Sequence, residues 1–183
     1  MDPIRKITIK AHLFLGLIIA TVVCLGVFVL GEFGINATWP AFFVMISFFI
    51  TGADVKNLPR IFIGAITGLI LAYLLLMFVV PSITAFGPTL GLLLLVWIVI
   101  FLIVFGGVFV PHAFNDFAFI YFTIALIFAG EAAKMTPAAL ISEHVTWGLT
   151  AILGGGVILA CIIACITLAR KAGVIPPADA AGH

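Results

Sequence analysis

Six apolar stretches follow one another along the chain, and two of them are much shorter than the rest. Four have 20 residues or more, whereas the second and fifth have 14 residues each. A helix of that length spans about 21 Å, whereas a bilayer core is about 30 Å thick. The pattern predicts an all-α membrane protein with six transmembrane helices, of which helices 2 and 5 are short. The stretches are Ala11–Leu30, Trp39–Gly52, Ile61–Val80, Gly91–Val110, Phe117–Gly130 and Val145–Ala169.

Composition supports this interpretation. The chain of 183 residues is 65% hydrophobic and 8% charged, whereas soluble domains are about 25% charged. A net charge of +1 offers no basic face for nucleic acid. We therefore predict one polytopic domain over residues 1–183. It comprises a first half at 11–80, a second half at 91–169 and a disordered cytoplasmic tail at 170–183, and the lipid bilayer is its first partner.

The basic residues predict the orientation of the helices. If all six stretches cross the membrane, seven of the eight basic residues lie on one side, and only Lys134 lies opposite. Cytoplasmic loops are enriched in lysine and arginine, so both termini are expected in the cytoplasm. The seven residues are Arg5, Lys6, Lys10, Lys56, Arg60, Arg170 and Lys171.

The two halves share a weak repeat that predicts their relation. A G-x-x-x-K-x-x-P motif ends both short stretches at a constant offset of 78 residues. Three crossings per half is an odd number, so the second half enters the membrane from the opposite side. This is the inverted-repeat plan of many transporters, in which short segments mark the solute site. The matched residues are Gly52, Lys56 and Pro59 in the first half and Gly130, Lys134 and Pro137 in the second.

Helices 2 and 5 supply the candidate lining of a solute pathway. Their aromatic residues recur every four positions with a few hydroxyl groups between them. This pattern suits a small neutral molecule, because no side chain of opposite charge is present to pair with a charged solute. Thr38 and Asp116 are expected to cap the two helix starts, with Pro40 in the first turn of helix 2. The lining candidates are Asn36, Trp39, Phe43, Ser47 and Thr51 in the first half, and Asn115, Phe117, Tyr121 and Thr123 in the second.

The ionisable residues lie near helix ends, where they are candidates for gating or coupling. A proton relay usually places carboxylates deep in the membrane, so this distribution argues against a pump. No nucleophile has a histidine and carboxylate at plausible depth, and the cysteines show no metal-ligand spacing. We therefore predict no enzyme activity, cofactor or metal. The candidates are Asp54, Asp116, Glu131, Glu143 and His144.

Small residues at four-residue steps predict close helix packing. Gly64 and Gly68 lie on helix 3, and Gly156 and Ala160 lie on helix 6. Such faces let two helix backbones approach closely, within one chain or between copies of a homo-oligomer. Residues 154–156 are three consecutive glycines, which are expected to let helix 6 bend.

The stretch W-P-A-F-F-V-M-I-S-F-F-I-T-G-A-D-V-K-N-L-P-R, from Trp39 to Arg60, continues into the small-residue helix 3. It resembles a family of small bacterial inner-membrane proteins known as domain of unknown function 1097. The segment around Phe128 is similar too. The resemblance implies a multi-pass protein of the bacterial inner membrane, and it implies no settled activity.

The function hypothesis follows from the short helices. The sequence favours a passive channel or facilitator for a small neutral polar solute, such as a urea, an amide or an alcohol. One alternative is a proton-coupled secondary transporter with Asp54, Glu131 or His144 as its coupling site. Another alternative is a structural subunit of a larger membrane complex.

Overall fold

Every regular element in the described part of the chain is a helix. The computed structural model describes residues 3–128, 131 and 134–174. A 3-10 turn at Val55–Asn57 precedes α3, and a π-helical turn at Thr150–Gly155 joins α6 to α7. The helices are α1 (Pro3–Glu32), α2 (Trp39–Ile50), α3 (Leu58–Phe86), α4 (Pro88–Gly106), α5 (Asp116–Ile127), α6 (Pro137–Leu149) and α7 (Gly156–Lys171).

Four helical segments among the described residues are long and apolar enough to cross a membrane, consistent with a membrane protein. They are α1, α3, α4 and the continuous helix Pro137–Lys171, called the α6–α7 helix below. The two shorter apolar helices are α2 and α5. They coincide with the two short stretches that the sequence predicted.

A glycine turn explains why α2 is short. Gly52 has a φ of +80°, and the following Ala53 has a φ of +56°. The Ala53 N–H donates to the Phe48 carbonyl and the Gly52 N–H donates to the Phe49 carbonyl, at 2.9 and 3.1 Å. These two hydrogen bonds form a Schellman motif, which satisfies the last carbonyls and ends the helix.

The expected end of the third helix at Pro81 is wrong. Helix α3 continues through Pro81 to Phe86. A proline inside a helix removes one backbone hydrogen bond, but neighbouring helices can stabilise it in a membrane protein. Here α4 packs on this end of α3, and the Ser82 hydroxyl donates to the Gly91 carbonyl at 2.9 Å.

The fourth and sixth helices also differ from their predicted bounds. Helix α4 ends at Gly106 rather than near Val110, because the chain turns there and the Phe109 and Val110 N–H groups both donate to the Gly106 carbonyl. The α6–α7 helix starts at Pro137, so Glu143 and His144 lie inside the helix and not ahead of its predicted start at Val145. The Thr136 hydroxyl oxygen caps this start by accepting from the Ala139 N–H at 3.3 Å.

Helix α3 lies at the centre of the bundle and packs against α4, α5 and α6. Helix α2 packs mainly on the π-helical turn, and α1 packs on α7. The residues that lie beside the glycines show whether two packed helices run parallel or antiparallel. Gly64 and Gly68 of α3 meet Asn115 and Ala118 of α5 in turn, so α3 and α5 run parallel.

The α6–α7 helix runs the opposite way to α3, because Gly148 meets Ile66 and Gly156 meets Phe62. Helix α2 runs with the α6–α7 helix, since Gly154 meets Ala41 and the next residue, Gly155, meets Val44. The two short helices therefore run antiparallel to each other. Each packs on a long helix from the other half of the sequence.

The small residues differ in how closely they are packed. A Cβ atom on Gly68 would clash with the Ala118 carbonyl, and one on Gly64 would clash with the Asn115 side chain. On Gly156 a Cβ would make only an ordinary contact of 3.7 Å with Phe62, and Ala160 is exposed. The close approach of the α6–α7 helix lies instead at Gly155, in the π-helical turn.

Some sequence predictions fall outside the described residues. Gly130 of the repeat motif and the neighbouring Ala129 belong to this group. The predicted tail lies outside the described residues from residue 175 onward. The α6–α7 helix reaches Lys171, the second residue of that predicted tail.

Candidate functional site

The two short helices meet at a group of ring side chains, which we call the aromatic cluster. It joins residues of α2, of α5 and of the position just after α5 to two residues of α6, so it draws on both halves of the chain. Its members are Trp39, Phe43, Tyr121, Phe128, His144 and Trp147.

Trp39, the first residue of α2, makes the largest number of described ring contacts in this cluster. Its ring centroid lies 5.4 Å from Trp147 and 5.7 Å from Tyr121. It lies 6.1 Å from Phe128 with only 17° between the ring planes, and 6.3 Å from Phe43. Aromatic pairs at such distances add about 0.5–1.5 kcal/mol each beyond the burial of their surface. Trp39 therefore connects the start of α2 to the end of α5 and to α6 through ring contacts.

Tyr121 links the two short helices directly. Its side chain is fully buried, and its hydroxyl donates a hydrogen bond to the Pro40 carbonyl of α2. The partners are 81 residues apart in sequence. The Tyr121 ring also lies edge-on to Phe43, with centroids 6.4 Å apart.

His144 and Trp147 enter the cluster from α6. Their ring centroids are 4.8 Å apart, and both side chains are buried. His144 also faces Tyr73 of α3 at 5.6 Å, in the wall of a groove of about 370 Å³ between α3 and the α6–α7 helix. The groove runs along the outside of the bundle and reaches the cluster at His144.

Sequence reasoning missed Trp147 and Phe128 of the cluster, and also Tyr73, which lies beside the cluster at His144. The chain has only three tryptophans and two tyrosines. Amphipathic rings are the ones that need a polar partner when buried, so their scarcity among 18 phenylalanines was a usable signal. The distance between α2 and α6 in sequence concealed it.

Four buried side-chain nitrogen or oxygen atoms have no hydrogen-bond partner within the described residues, and three of them belong to the aromatic cluster. A buried polar group without a partner costs about 1–3 kcal/mol and calls for an explanation. The fourth atom belongs to Ser47, two turns along α2 from Trp39. The atoms are Trp39 Nε1, Ser47 Oγ, His144 Nε2 and Trp147 Nε1.

The other hydroxyl candidates bond within their own helices. Thr51 donates to the carbonyls of Ser47 and Phe48, and Thr123 donates to that of Phe119. Thr123 is exposed on the outer side of α5, and Asn36 is exposed ahead of α2. The structure therefore does not bring Thr51, Thr123 or Asn36 into the aromatic cluster.

Asn115, and not Asp116, caps α5. The Asn115 side-chain oxygen accepts from the N–H groups of Phe117 and Ala118, at 2.9 and 3.2 Å. Asp116 is the first residue of the helix and lies 3.5 Å from the Arg60 guanidinium. That guanidinium also lies 5.8 Å from the centre of the buried Phe117 ring. These residues form a corner at the start of α5, at the end opposite to the aromatic cluster.

The remaining ionisable candidates lie apart from the cluster. Asp54 is exposed and accepts from the Lys56 N–H, which caps the 3-10 turn. Glu131 is exposed and lies 3.6 Å from the Lys134 ammonium. Glu143 is partly buried beside His144 in sequence. Of the five gating or coupling candidates, His144 is the one that the structure places among the aromatic rings.

Comparison of the chain with protein-family models, curated proteins and solved structures finds no match. Among the described residues no group of three or more histidine, cysteine, aspartate or glutamate side chains could hold a metal ion.

We expect Asn115→Ala to destabilise the protein by about 2 kcal/mol, since it removes a helix cap and buried hydrogen bonds. The lost bonds include the one from the Asn115 amide to the His112 carbonyl at 2.8 Å. The free energy of unfolding in detergent measures the effect. Thr38→Ala is the matched control, because Thr38 occupies the cap position of α2 without a side-chain cap bond. Equal losses of stability in the two variants would contradict the assignment of Asn115 as the cap of α5.

Proposed function

We propose that this protein is a passive facilitator for a small neutral polar solute, with the aromatic cluster as its gate. The observation that carries the proposal is the set of unpartnered polar atoms in the cluster. Polar groups inside a membrane protein are costly and are retained mainly where they serve a function. A polar solute passing between the short helices would give these atoms the hydrogen bonds that they lack.

The helix pairing supports an inverted-repeat arrangement with six crossings. Helices α1 and α2 pack on the α6–α7 helix, and α4 and α5 pack on α3. In the predicted repeat, α1, α2 and α3 correspond to α4, α5 and the α6–α7 helix. If each helix is replaced by its counterpart, the first pair of contacts becomes the second pair. In transporters of this plan the solute site lies where the discontinuous elements of the two repeats meet, which here corresponds to Trp39 and Tyr121.

The orientation proposal keeps both termini in the cytoplasm. The Arg60–Asp116 contact places the start of α3 and the start of α5 at the same end of the bundle. Six alternating crossings would put both of these segments on the cytoplasmic side. Location in the bacterial inner membrane, kinship with the family named above and assembly as a homo-oligomer stay predictions.

A second candidate function, a proton-coupled carrier, is favoured by the position of His144. It is a titratable side chain that lies buried against Trp147. Histidine changes its charge between about pH 5 and 8. In such a carrier, His144 would gain and lose a proton in each transport cycle. Asp54 and Glu131 would not act as coupling sites, because both are exposed.

Swelling of proteoliposomes tests the proposed function. We expect faster entry of urea, acetamide or glycerol than in protein-free liposomes. Uptake that needs an imposed pH gradient would indicate the coupled carrier instead. A lack of protein-dependent entry for the whole panel, both with and without a pH gradient, would overturn both and leave the structural-subunit interpretation.

A matched pair of variants tests whether the cluster is the gate. Phe43→Ala is expected to change the relative entry rates of the three solutes, because Phe43 packs against Trp39 and Tyr121. Phe101→Ala removes an equal ring from the exposed face of α4 and should leave the rates unchanged. Identical selectivity in both variants would exclude the cluster as the gate.

A further inference from the structure

We propose that the aromatic cluster recognises one class of solute, small planar molecules in which a carbonyl oxygen and an N–H group are attached to the same carbon atom. Primary amides and ureas have this chemistry. The proposal rests on the proposed function and adds to it the hydrogen-bonding pattern of the solute.

Two indole groups supply the donors. An indole nitrogen can donate a hydrogen bond but cannot accept one. Trp39 Nε1 and Trp147 Nε1 are both buried without a partner in the described part of the chain, and their ring centroids are 5.4 Å apart. This part of the site therefore suits an oxygen acceptor such as an amide carbonyl.

His144 supplies an acceptor. Its Nδ1 lies 2.9 Å from the Leu140 carbonyl oxygen, one turn earlier in α6. A carbonyl oxygen can only accept, so the proton of the neutral ring is assigned to Nδ1. The other nitrogen, Nε2, is then an acceptor, and it has no partner among the described residues. It suits an N–H group of the solute.

The rings around these atoms favour a flat solute. Trp39 and Phe128 stack with only 17° between their planes. An amide or urea is planar and can replace one ring in such a stack. A carboxylate or an ammonium ion would have to leave water without an opposite charge in the cluster, which is costly.

Three isomers with one molecular formula test the hydrogen-bonding pattern. Propanamide, N-methylacetamide and N,N-dimethylformamide all carry a carbonyl, but they have two, one and no N–H donors. We expect protein-dependent entry into proteoliposomes to be about tenfold faster for propanamide than for N,N-dimethylformamide, because one hydrogen bond to His144 is lost. Rates in protein-free liposomes are subtracted for each isomer.

The variant His144→Phe keeps a ring in the cluster and removes the acceptor. It should bring propanamide down to the rate of N,N-dimethylformamide. Equal protein-dependent rates for the three isomers in the unaltered protein would overturn the recognition proposal and leave the facilitator intact. Absence of protein-dependent entry for all three, and for the urea and glycerol panel, would overturn the facilitator as well.

Indole N–H resonances give a binding readout that does not depend on transport. The chain has three tryptophans, and the third, Trp97, is exposed on α4. With indole-labelled protein in nanodiscs, propanamide should shift the Trp39 and Trp147 signals and leave that of Trp97 in place. Trp147→Phe should weaken the shift at Trp39. Equal shifts at all three tryptophans, or none at saturating propanamide, would contradict the site.

Discussion

Gly68→Ala should destabilise the helix bundle by about 2–3 kcal/mol, the cost of overpacking a close contact. The new Cβ would clash with the Ala118 carbonyl and would lie 2.9 Å from the Phe122 nitrogen. Both atoms belong to the backbone of α5, so a side-chain rotation cannot relieve the contact and the helix as a whole must move. The free energy of unfolding in mixed detergent micelles measures the loss.

Gly156→Ala is the matched control for this prediction. The same substitution there places a Cβ at 3.7 Å from Phe62, an ordinary contact. Replacing glycine by alanine within a helix is otherwise favourable by about 1 kcal/mol, so this variant should be neutral or more stable. If Gly68→Ala were as stable as Gly156→Ala, the close packing of α3 against α5 would be wrong.

Trp39→Ala should increase the entry of glycerol, which lies outside the amide and urea class, into proteoliposomes by about tenfold or more. The substitution removes four ring contacts of the proposed gate. At about 0.5–1.5 kcal/mol for each pair, their loss exceeds the 1.4 kcal/mol that changes an equilibrium tenfold. The closed arrangement would therefore lose population to an open one. Stopped-flow light scattering measures the rate.

Trp97→Ala controls for the general effect of removing a tryptophan. Trp97 is 63% exposed and stacks on Phe101, with centroids 5.5 Å apart, on the outer face of α4. This variant should retain the glycerol rate of the unaltered protein. A folded Trp39→Ala protein with an unchanged or lower rate would show that the ring does not close a pathway.

The predicted helices and the observed ones agree best where a local signal ends a segment. The α2 helix stops at Ile50, close to the predicted Gly52, because a glycine turn satisfies its last carbonyls within five residues. At Pro81 the local signal failed. A proline usually ends a helix, but α4 packs there and the helix continues to Phe86.

The candidate site was only partly predictable. Trp39, Phe43 and Tyr121 were expected to face a common space, and the structure places their rings within 6.4 Å of each other. His144 was expected at a helix end as a gating or coupling residue. It lies instead inside α6 and against Trp147, because that helix starts eight residues before the predicted Val145, at Pro137.

The sequence by itself determined the class of this protein, because hydropathy and charge act on each segment independently of the others. A segment of 20 apolar residues is stable in lipid wherever its neighbours lie. The tertiary structure alone decided which polar atoms come together. The Tyr121 hydroxyl donates to a carbonyl 81 residues away. The Trp39 ring meets Trp147 of α6 because α2 packs on the π-helical turn that follows α6. Such contacts depend on the packing of whole helices, and no local pattern of residues encodes them.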